Sequence, residues 1–310
     1  MRARTFVVAL ALAASMGAAR ADVALPDAAF GAYQRGYYRT ALETALKAID
    51  ADPKAASAMA LIGEIYLEGY AVPQDSGQAA KWFALAANAG DARAAFALAR
   101  LKLKGLGGPK DPDGARKLLR QAAAGGVPEA EYTLGDLALV PASDTVGPDY
   151  ARATRHYEAA AKLGDPVAWY ALGLLSEKGL GVKRDQVAAA ELMRAAARGG
   201  VLEAMVEYAR MILETPPGGD ADVEAAHWLE RAANAGEPLG QDRLARLYLV
   251  GRGVKKDMPR ALKWRALAKA AGIDDADLDA RLKDASPADR EAADVLVRAF
   301  QGVFAPSALR

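Results

Sequence analysis

A pattern that recurs every 36 to 38 residues constrains this chain more than any other feature. A glycine that follows an Ala-rich stretch recurs with spacings of 36, 38, 36, 36 and 36 residues, at Gly90, Gly126, Gly164, Gly200, Gly236 and Gly272. A bulky residue followed by Gly or Ala keeps the same period, at Ile62-Gly63, Leu98-Ala99, Leu134-Gly135, Leu172-Gly173, Tyr208-Ala209 and Leu244-Ala245. Two independent markers that share one period and one insertion predict an array of six stacked repeats.

Each repeat is predicted to contain two helices. Apolar residues at helical spacing, such as Leu244, Leu247 and Tyr248, indicate the first helix. A Gly-x-Gly turn, clearest at Gly179 and Gly181, ends it, because glycine readily takes the left-handed conformation that stops a helix. An aspartate suited to capping the second helix follows at Asp75, Asp111, Asp185 and Asp257.

The second helix is predicted to pack through one small and one bulky position. The small position is occupied by Ala79, Ala115, Ala153, Ala189, Ala226 and Ala261. The bulky position is occupied by Trp82, Leu118, His156, Leu192, Trp228 and Trp264. Small and large side chains that interlock between neighbouring repeats would form one continuous core.

The combined pattern resembles the Sel-one-like repeat, a relative of the tetratricopeptide repeat. The segment LARLYLVGRGVKKDMPRALKWRALAKAAG carries the resemblance most clearly, and six such repeats cover residues 55–273. Residues 22–54 resemble a shorter tetratricopeptide-like helix pair, and residues 274–310 resemble a C-terminal capping helix and tail. The resemblance implies an all-α fold, a right-handed superhelical solenoid of stacked helix pairs.

Two repeats depart from the pattern at the turn between their helices. The third repeat has VPASDTVGPDY there, and the fifth has ETPPGGDADVE. Their proline content predicts longer and stiffer loops that project along one edge of the array.

The first 21 residues are predicted to be a secretory signal peptide. Arg2 and Arg4 form a basic start, residues 6–14 form a short apolar run, and Ala19-Arg20-Ala21 fits a cleavage site after Ala21. The rest of the chain lacks an uninterrupted apolar stretch of about 18 residues, so no membrane insertion of the mature chain is expected. A periplasmic or secreted location follows as an expectation.

Composition argues against most kinds of chemistry. The chain has no cysteine, which excludes disulfides and thiol catalysis, and its 40 Lys and Arg against 39 Asp and Glu give no overall field that would attract nucleic acid. Metalloprotease, serine hydrolase and phosphate-loop motifs are absent, and the two histidines, His156 and His227, are predicted to be structural. We therefore expect no catalytic residue, no metal site and no cofactor.

A partner-binding face is predicted on the first helices of the repeats, which line the concave side of such arrays. Two positions flanking the bulky-small pair offer aromatic and charged residues, a composition typical of binding hot spots. The candidates are Phe96, Arg100, Tyr132, Asp136, Tyr170, Arg210 and Arg246. The same aromatic row could instead belong to the packing between helices.

Net charge alternates in sign along the repeats. Residues 202–237 carry −6 and residues 238–273 carry +7, for example. Such alternation predicts attraction between neighbouring repeats, although a basic last repeat could also attract an acidic partner.

Three functions stay open at this stage. The favoured one is a non-catalytic scaffold or regulator that binds a protein partner in the cell envelope. The alternative is a binding module for peptidoglycan or another envelope polysaccharide. An enzyme that interacts with β-lactams is a distant third, because some relatives are linked to β-lactam binding, yet no serine here is followed by lysine at the required spacing.

Overall fold

The computed structural model describes residues 24–141, 146–214 and 216–304, with only the backbone of 303 and 304. The predicted signal peptide, residues 1–21, lies outside these residues. The described residues form sixteen α helices, α1 to α16 in chain order, in two compact units that divide between Asp111 and Pro112. The predicted all-α repeat fold is confirmed, and each unit is described by itself.

Unit one contains two helices before the first repeat and three helices of the repeats. Their bounds are Leu25–Gln34 (α1), Tyr38–Ala51 (α2), Ala56–Glu68 (α3), Ser76–Asn88 (α4) and Ala92–Lys104 (α5). Each helix packs against the next one in the chain, and α1 also contacts α3.

Unit two contains the remaining eleven helices of the described residues. Their bounds are Pro112–Ala124 (α6), Pro128–Leu139 (α7), Tyr150–Lys162 (α8), Pro166–Lys178 (α9), Gln186–Arg198 (α10), Leu202–Leu213 (α11), Asp220–Asn234 (α12), Pro238–Val250 (α13), Met258–Ala270 (α14), Ala276–Leu282 (α15) and Pro287–Phe304 (α16). From α6 to α14 consecutive helices pack together, and α14 also contacts α15 and α16.

Glycine and aspartate set the helix boundaries as the repeat pattern predicts. The first helices α9 and α13 end at Gly179 and Gly251, whose φ angles of 70° and 78° are left-handed. The carboxylates of Asp75, Asp185 and Asp257 accept hydrogen bonds from backbone amides in the first turn of α4, α10 and α14. These local interactions stop one helix and start the next at the same point of the first, fourth and sixth repeats.

The two helices of a repeat interlock through a missing side chain on the first helix. A Cβ atom added to Gly135 would lie 2.5 Å from the Tyr157 ring, and one added to Gly63 would lie 2.7 Å from the Phe83 ring. At Gly173 the corresponding contact is with Met193, at 3.0 Å. In these three repeats glycine leaves room for the large residue of the second helix that packs into the first.

This packing corrects the predicted bulky core position by one residue. Of the six predicted residues only Trp228 and Trp264 are buried, whereas Trp82, Leu118, His156 and Leu192 are partly exposed. The buried side chains are those that follow, namely Phe83, Leu119, Tyr157, Met193, Leu229 and Arg265. One residue turns the side chain by about 100° around a helix, which moves it from the rim of the contact to its centre.

The predicted small position is buried in all six repeats. In the fifth repeat, however, the residue that keeps the 36-residue spacing of this alanine position is Ala225 and not the predicted Ala226. Ala225 is fully buried. Close helix contacts therefore lie where the alanine period places them.

The loop before α12, in the fifth repeat, is anchored from the sixth. The buried carboxylate of Asp222 accepts hydrogen bonds from the Gly218 amide at 2.6 Å and from Arg252 Nε at 2.7 Å. Arg252 also donates to the Leu213 carbonyl at 2.9 Å. The proline-rich loop is thus held at both ends by one arginine.

Candidate functional site

The seven predicted partner-binding residues all lie on first helices of the repeats. Two belong to α5 in unit one, namely Phe96 and Arg100. Five belong to unit two, namely Tyr132 and Asp136 on α7, Tyr170 on α9, Arg210 on α11 and Arg246 on α13. We call the surface formed by these helices within one unit the first-helix face. None of the seven side chains belongs to the buried core.

In unit one, the first-helix face is open beside Arg100. The Arg100 guanidinium lies 5.8 Å from the centre of the Phe96 ring, which allows a cation–π contact. Arg100 also lines a cavity of about 290 Å³ together with Glu64, Glu68 and Lys104. Arg100 therefore borders space that a ligand could enter, and Phe96 lies beside it.

A second cavity of about 350 Å³ adjoins the first, because Glu64 lines both. Its apolar wall includes Phe30 and Tyr33 of α1, with Ala60 of α3 and Ala97 of α5. Sequence reasoning missed Phe30 and Tyr33, since α1 precedes the repeats and has no counterpart in them. Phe30 is 53% exposed, and an exposed aromatic residue is a signal for ligand contact. That signal becomes visible only when the position of α1 in the fold is known.

In unit two, Tyr132 and Asp136 belong to an aromatic cluster that reaches the core. The rings of Tyr132 and Tyr157 lie 5.3 Å apart, and the Tyr157 hydroxyl donates a hydrogen bond of 2.7 Å to Asp136 Oδ1. Burial raises the pKa of Asp136, and the hydrogen bond from Tyr157 opposes this rise. Burial and the Asp136 charge raise the pKa of Tyr132 to about 12. Tyr132 and Asp136 therefore lie on the first-helix face and also contact a buried residue of the core.

Tyr170 is a partly exposed aromatic residue in an acidic setting. Its ring packs at the edge of the core that α10 to α14 share. Burial raises the pKa of its phenol, and the charges of Glu207, Glu203 and Glu177 add to the effect. Its hydroxyl therefore stays protonated at neutral pH and can donate a hydrogen bond to a ligand.

Arg210 and Arg246 hold carboxylates of their own chain. Arg210 forms ion pairs with Glu207 at 2.7 Å, with Glu214 at 2.5 Å and with Glu177. Arg246 forms ion pairs with Asp275 and with Asp277, the latter at 2.9 Å. The guanidinium groups are thus occupied, which the sequence could not reveal because several of their partners lie about 30 residues away.

Ion pairs between repeats agree with the predicted effect of the alternating charges. Besides Arg210 and Glu177, they join Arg252 to Asp222 at 2.7 Å and Arg194 to Glu224 at 3.6 Å. Much of the positive charge of the sixth repeat is therefore bound by the fifth repeat and by the residues that follow α14.

The described residues offer little for metal or acid–base chemistry. No three His, Asp or Glu side chains among them are grouped so as to hold a metal ion. His156 Nδ1 lies 2.8 Å from Glu131 Oε2, a contact between neighbouring helices that orients the ring. His227 is exposed and lies edge-on to Trp228.

Helix pairs that recur at a nearly constant length, four of them with a first helix that ends at a left-handed glycine, define a helical repeat protein. The Sel1 repeat pattern matches residues 56–91, 92–127, 128–165, 166–201, 202–237 and 238–272. The chain therefore belongs to the Sel1 repeat family. Proteins of this family are generally non-catalytic scaffolds for protein–protein interactions.

Solved structures support the same assignment. A Sel1 repeat protein from Oxalobacter formigenes is 27% identical, with a TM-score of 0.66, and the match covers 82% of this chain and 100% of that one. The protective antigen c5321 of uropathogenic Escherichia coli, which displays an SLR fold, has a TM-score of 0.67 at 22% identity, over 92% of this chain and 72% of that one. At that identity the second likeness shows the fold alone.

One curated relative matches over a shorter stretch. It is the uncharacterized protein NMB1327 of Neisseria meningitidis serogroup B, 36% identical over 106 residues. The match covers 34% of this chain and 22% of the relative.

Among the described residues, no helix has both the length and the apolar character that crossing a bilayer requires.

Proposed function

We propose that this chain is a non-catalytic scaffold, exported to the periplasm, that binds a protein partner of the cell envelope through its first-helix faces. The observation that carries the proposal is the pair of adjoining cavities in unit one. They are bordered by Arg100, a predicted partner-binding residue, and by Glu64, which occupies the position of Arg100 in the preceding repeat. The general role of the family in protein–protein interactions supports the same conclusion.

The seven candidate residues have different roles in this proposal. Phe96, Tyr132 and Tyr170 supply partly exposed rings, which bury large apolar area at low entropic cost when a partner docks. Arg100 and Asp136 supply exposed charges beside two of these rings. Arg210 and Arg246 fix the carboxylates around them and so shape the face.

The export part of the proposal rests on the sequence of residues 1–21. A basic start, a short apolar run and the Ala-Arg-Ala site support cleavage after Ala21. N-terminal sequencing of the protein from a periplasmic extract should therefore find Asp22 as the first residue. Recovery of the chain from the cytoplasm with its first 21 residues intact would contradict export.

The binding part is tested by affinity capture from solubilised envelope. Wild type is compared with a face variant, Phe96→Ala with Tyr132→Ala and Tyr170→Ala, after circular dichroism has shown that both are equally helical. The matched control replaces three exposed apolar residues of second helices, Leu85, Val187 and Val223, with alanine. A protein captured by wild type and by the control, but lost in the face variant, is the expected result.

Other outcomes separate the remaining functions. A protein captured equally by all three forms would contradict binding through the first-helix face. Recovery of glycan fragments without protein would favour the polysaccharide-binding alternative, for which the ring of Tyr170 beside several carboxylates is the specific observation. Hydrolysis of a chromogenic β-lactam by the purified chain would overturn the non-catalytic assignment.

A further inference from the structure

The cavity between α1, α3 and α5 contains a carboxylate without a partner. Glu64 is half-buried, and within the described residues its carboxylate makes no ion pair and no hydrogen bond. A half-buried charge is costly when it is unpaired, so most such groups in folded proteins find a counter-charge. Glu64 is an exception among the described residues of unit one, and it lies where two cavities meet.

The surroundings of Glu64 are apolar on one side and carry charges of both signs on the other, where Glu68, Arg100 and Lys104 line the adjoining cavity. Phe30, Ala60 and Ala97 line the cavity of about 350 Å³ that ends at the carboxylate. Burial raises the pKa of Glu64, and the charge of Glu68 adds to this rise, whereas Arg100 opposes it.

We propose that this cavity receives a lysine or arginine side chain of the protein partner. The aliphatic stem of that residue lies against Phe30, Ala60 and Ala97, and its charged head pairs with Glu64. Lysine and arginine have this division between an apolar stem and a cationic head. The inference rests on the proposed function, because it names the chemistry that a protein partner must present to unit one.

Among the described charged groups that line the two cavities, Glu64 is the one that is both partly buried and without a partner, whereas Glu68, Arg93, Arg100 and Lys104 are exposed. Asp91 also lines the cavity, but its carboxylate already accepts a hydrogen bond from the Ala94 amide and caps α5. Arg93, the basic residue of this cavity, is exposed, and Arg100 lies over the Phe96 ring. A cation at Glu64 would therefore meet an unpaired carboxylate, whereas an anion there would meet a like charge.

The probe is a set of immobilised nine-residue peptide mixtures with one fixed central residue. The fixed residue is lysine, arginine, norleucine, glutamine or glutamate, so norleucine presents the stem of lysine without its charge. The full chain is tested as wild type, as Glu64→Gln and as Glu43→Gln, the last being an exposed carboxylate of α2 in the same unit. We expect wild type and Glu43→Gln to retain the lysine and arginine mixtures about tenfold better than the norleucine mixture.

Glu64→Gln should lose this preference and bind the lysine and norleucine mixtures equally, because the stem contacts remain. Equal retention of lysine and glutamate mixtures by wild type would overturn the inference, as would a lysine preference that survives in Glu64→Gln. Retention of no mixture at all would also count against it. The capture of an envelope protein tests the proposed function separately. If the chain binds such a protein but shows no preference for lysine or arginine peptides, only the inference about Glu64 is contradicted.

Discussion

The hydroxyl of Tyr157 donates a hydrogen bond of 2.7 Å to Asp136, a carboxylate on the preceding helix. Tyr157 is 2% exposed and fills the hole left by Gly135, whereas Asp136 lies on the first-helix face. One side chain therefore connects the core of the third repeat to a residue predicted to contact a partner. Substitutions in the core of this repeat should therefore alter the position or the pKa of Asp136 on the first-helix face.

The first prediction concerns the hole at Gly135. Gly135→Ala places a Cβ atom 2.5 Å from the Tyr157 ring, a distance that requires the ring or the helix to move. Overpacking of this kind destabilises proteins by about 1–3 kcal/mol, and we expect that loss in urea unfolding. Gly302→Ala in α16 is the control, since its added Cβ meets nothing within 4 Å. An equal effect of the two substitutions would contradict the hole.

The second prediction concerns the hydrogen bond itself. Tyr157→Phe keeps the ring in the hole but removes the hydroxyl, so the free energy of unfolding should fall by about 1 kcal/mol. The hydrogen bond favours the ionised form of Asp136, so its loss should raise the pKa of Asp136 further. Titration of the Asp136 carboxyl by NMR in both proteins measures this shift. An unchanged or lowered pKa in Tyr157→Phe would contradict the assigned contact.

Sequence reasoning could predict the local parts of this fold. The period, the glycine turns and the aspartate caps each depend on residues a few positions apart, so the pattern shows them directly. The buried bulky position was placed one residue early because large residues often occupy both neighbouring positions, as at Trp82 and Phe83. Periodicity alone cannot say which of two adjacent side chains lies at the centre of a contact.

The candidate site was less accessible to sequence reasoning. The seven candidate residues lie on first helices, and the carboxylates that occupy Arg210 and Arg246 come from residues distant in the sequence. The cavity beside Glu64 depends on α1, which lies outside the repeats and has no periodic signal. Contacts of this kind depend on how several helices pack together, so the sequence of a single helix does not reveal them.

The third prediction concerns Arg265, which occupies the buried bulky position of the sixth repeat and is 3% exposed. It donates hydrogen bonds to Asp242 at 3.0 Å and to Asp279 at 2.6 Å. Arg265→Leu leaves the buried Asp242 carboxylate without its main partner, which should cost about 3 kcal/mol of stability. Thermal and urea unfolding of the full chain measure the loss.

A second substitution should rescue this variant. The fifth repeat has Val206 and Leu229 at the positions of Asp242 and Arg265, and both are buried. Adding Asp242→Val to Arg265→Leu therefore imports an apolar pair that this chain already uses, and it should restore most of the lost stability. If the double variant is less stable than Arg265→Leu alone, the ion pair is not the reason for the loss.

The fourth prediction concerns pH and Glu64. Because the folded chain raises the pKa of Glu64, the protonated carboxyl is favoured by folding, and that contribution is lost as pH rises through the raised pKa. Glu64→Gln cannot ionise, so its stability relative to wild type should increase as pH rises above 4.5, the ordinary pKa of a glutamate, and should level off once the wild-type carboxyl is ionised in the folded chain as well. A relative stability of Glu64→Gln that falls with rising pH would contradict the unpaired carboxylate.

Site-specific photo-crosslinking in cells shows whether the first-helix faces bind a protein partner. A photoreactive phenylalanine analogue is placed singly at Phe96, Tyr132 or Tyr170, and at Leu85, Val187 or Val223 as second-helix controls. If the first-helix faces bind a protein partner, one protein of the envelope should be crosslinked from the first-helix positions and not from the controls. Crosslinking of that protein from the second-helix positions alone, or equally from both sets, would contradict binding through these faces.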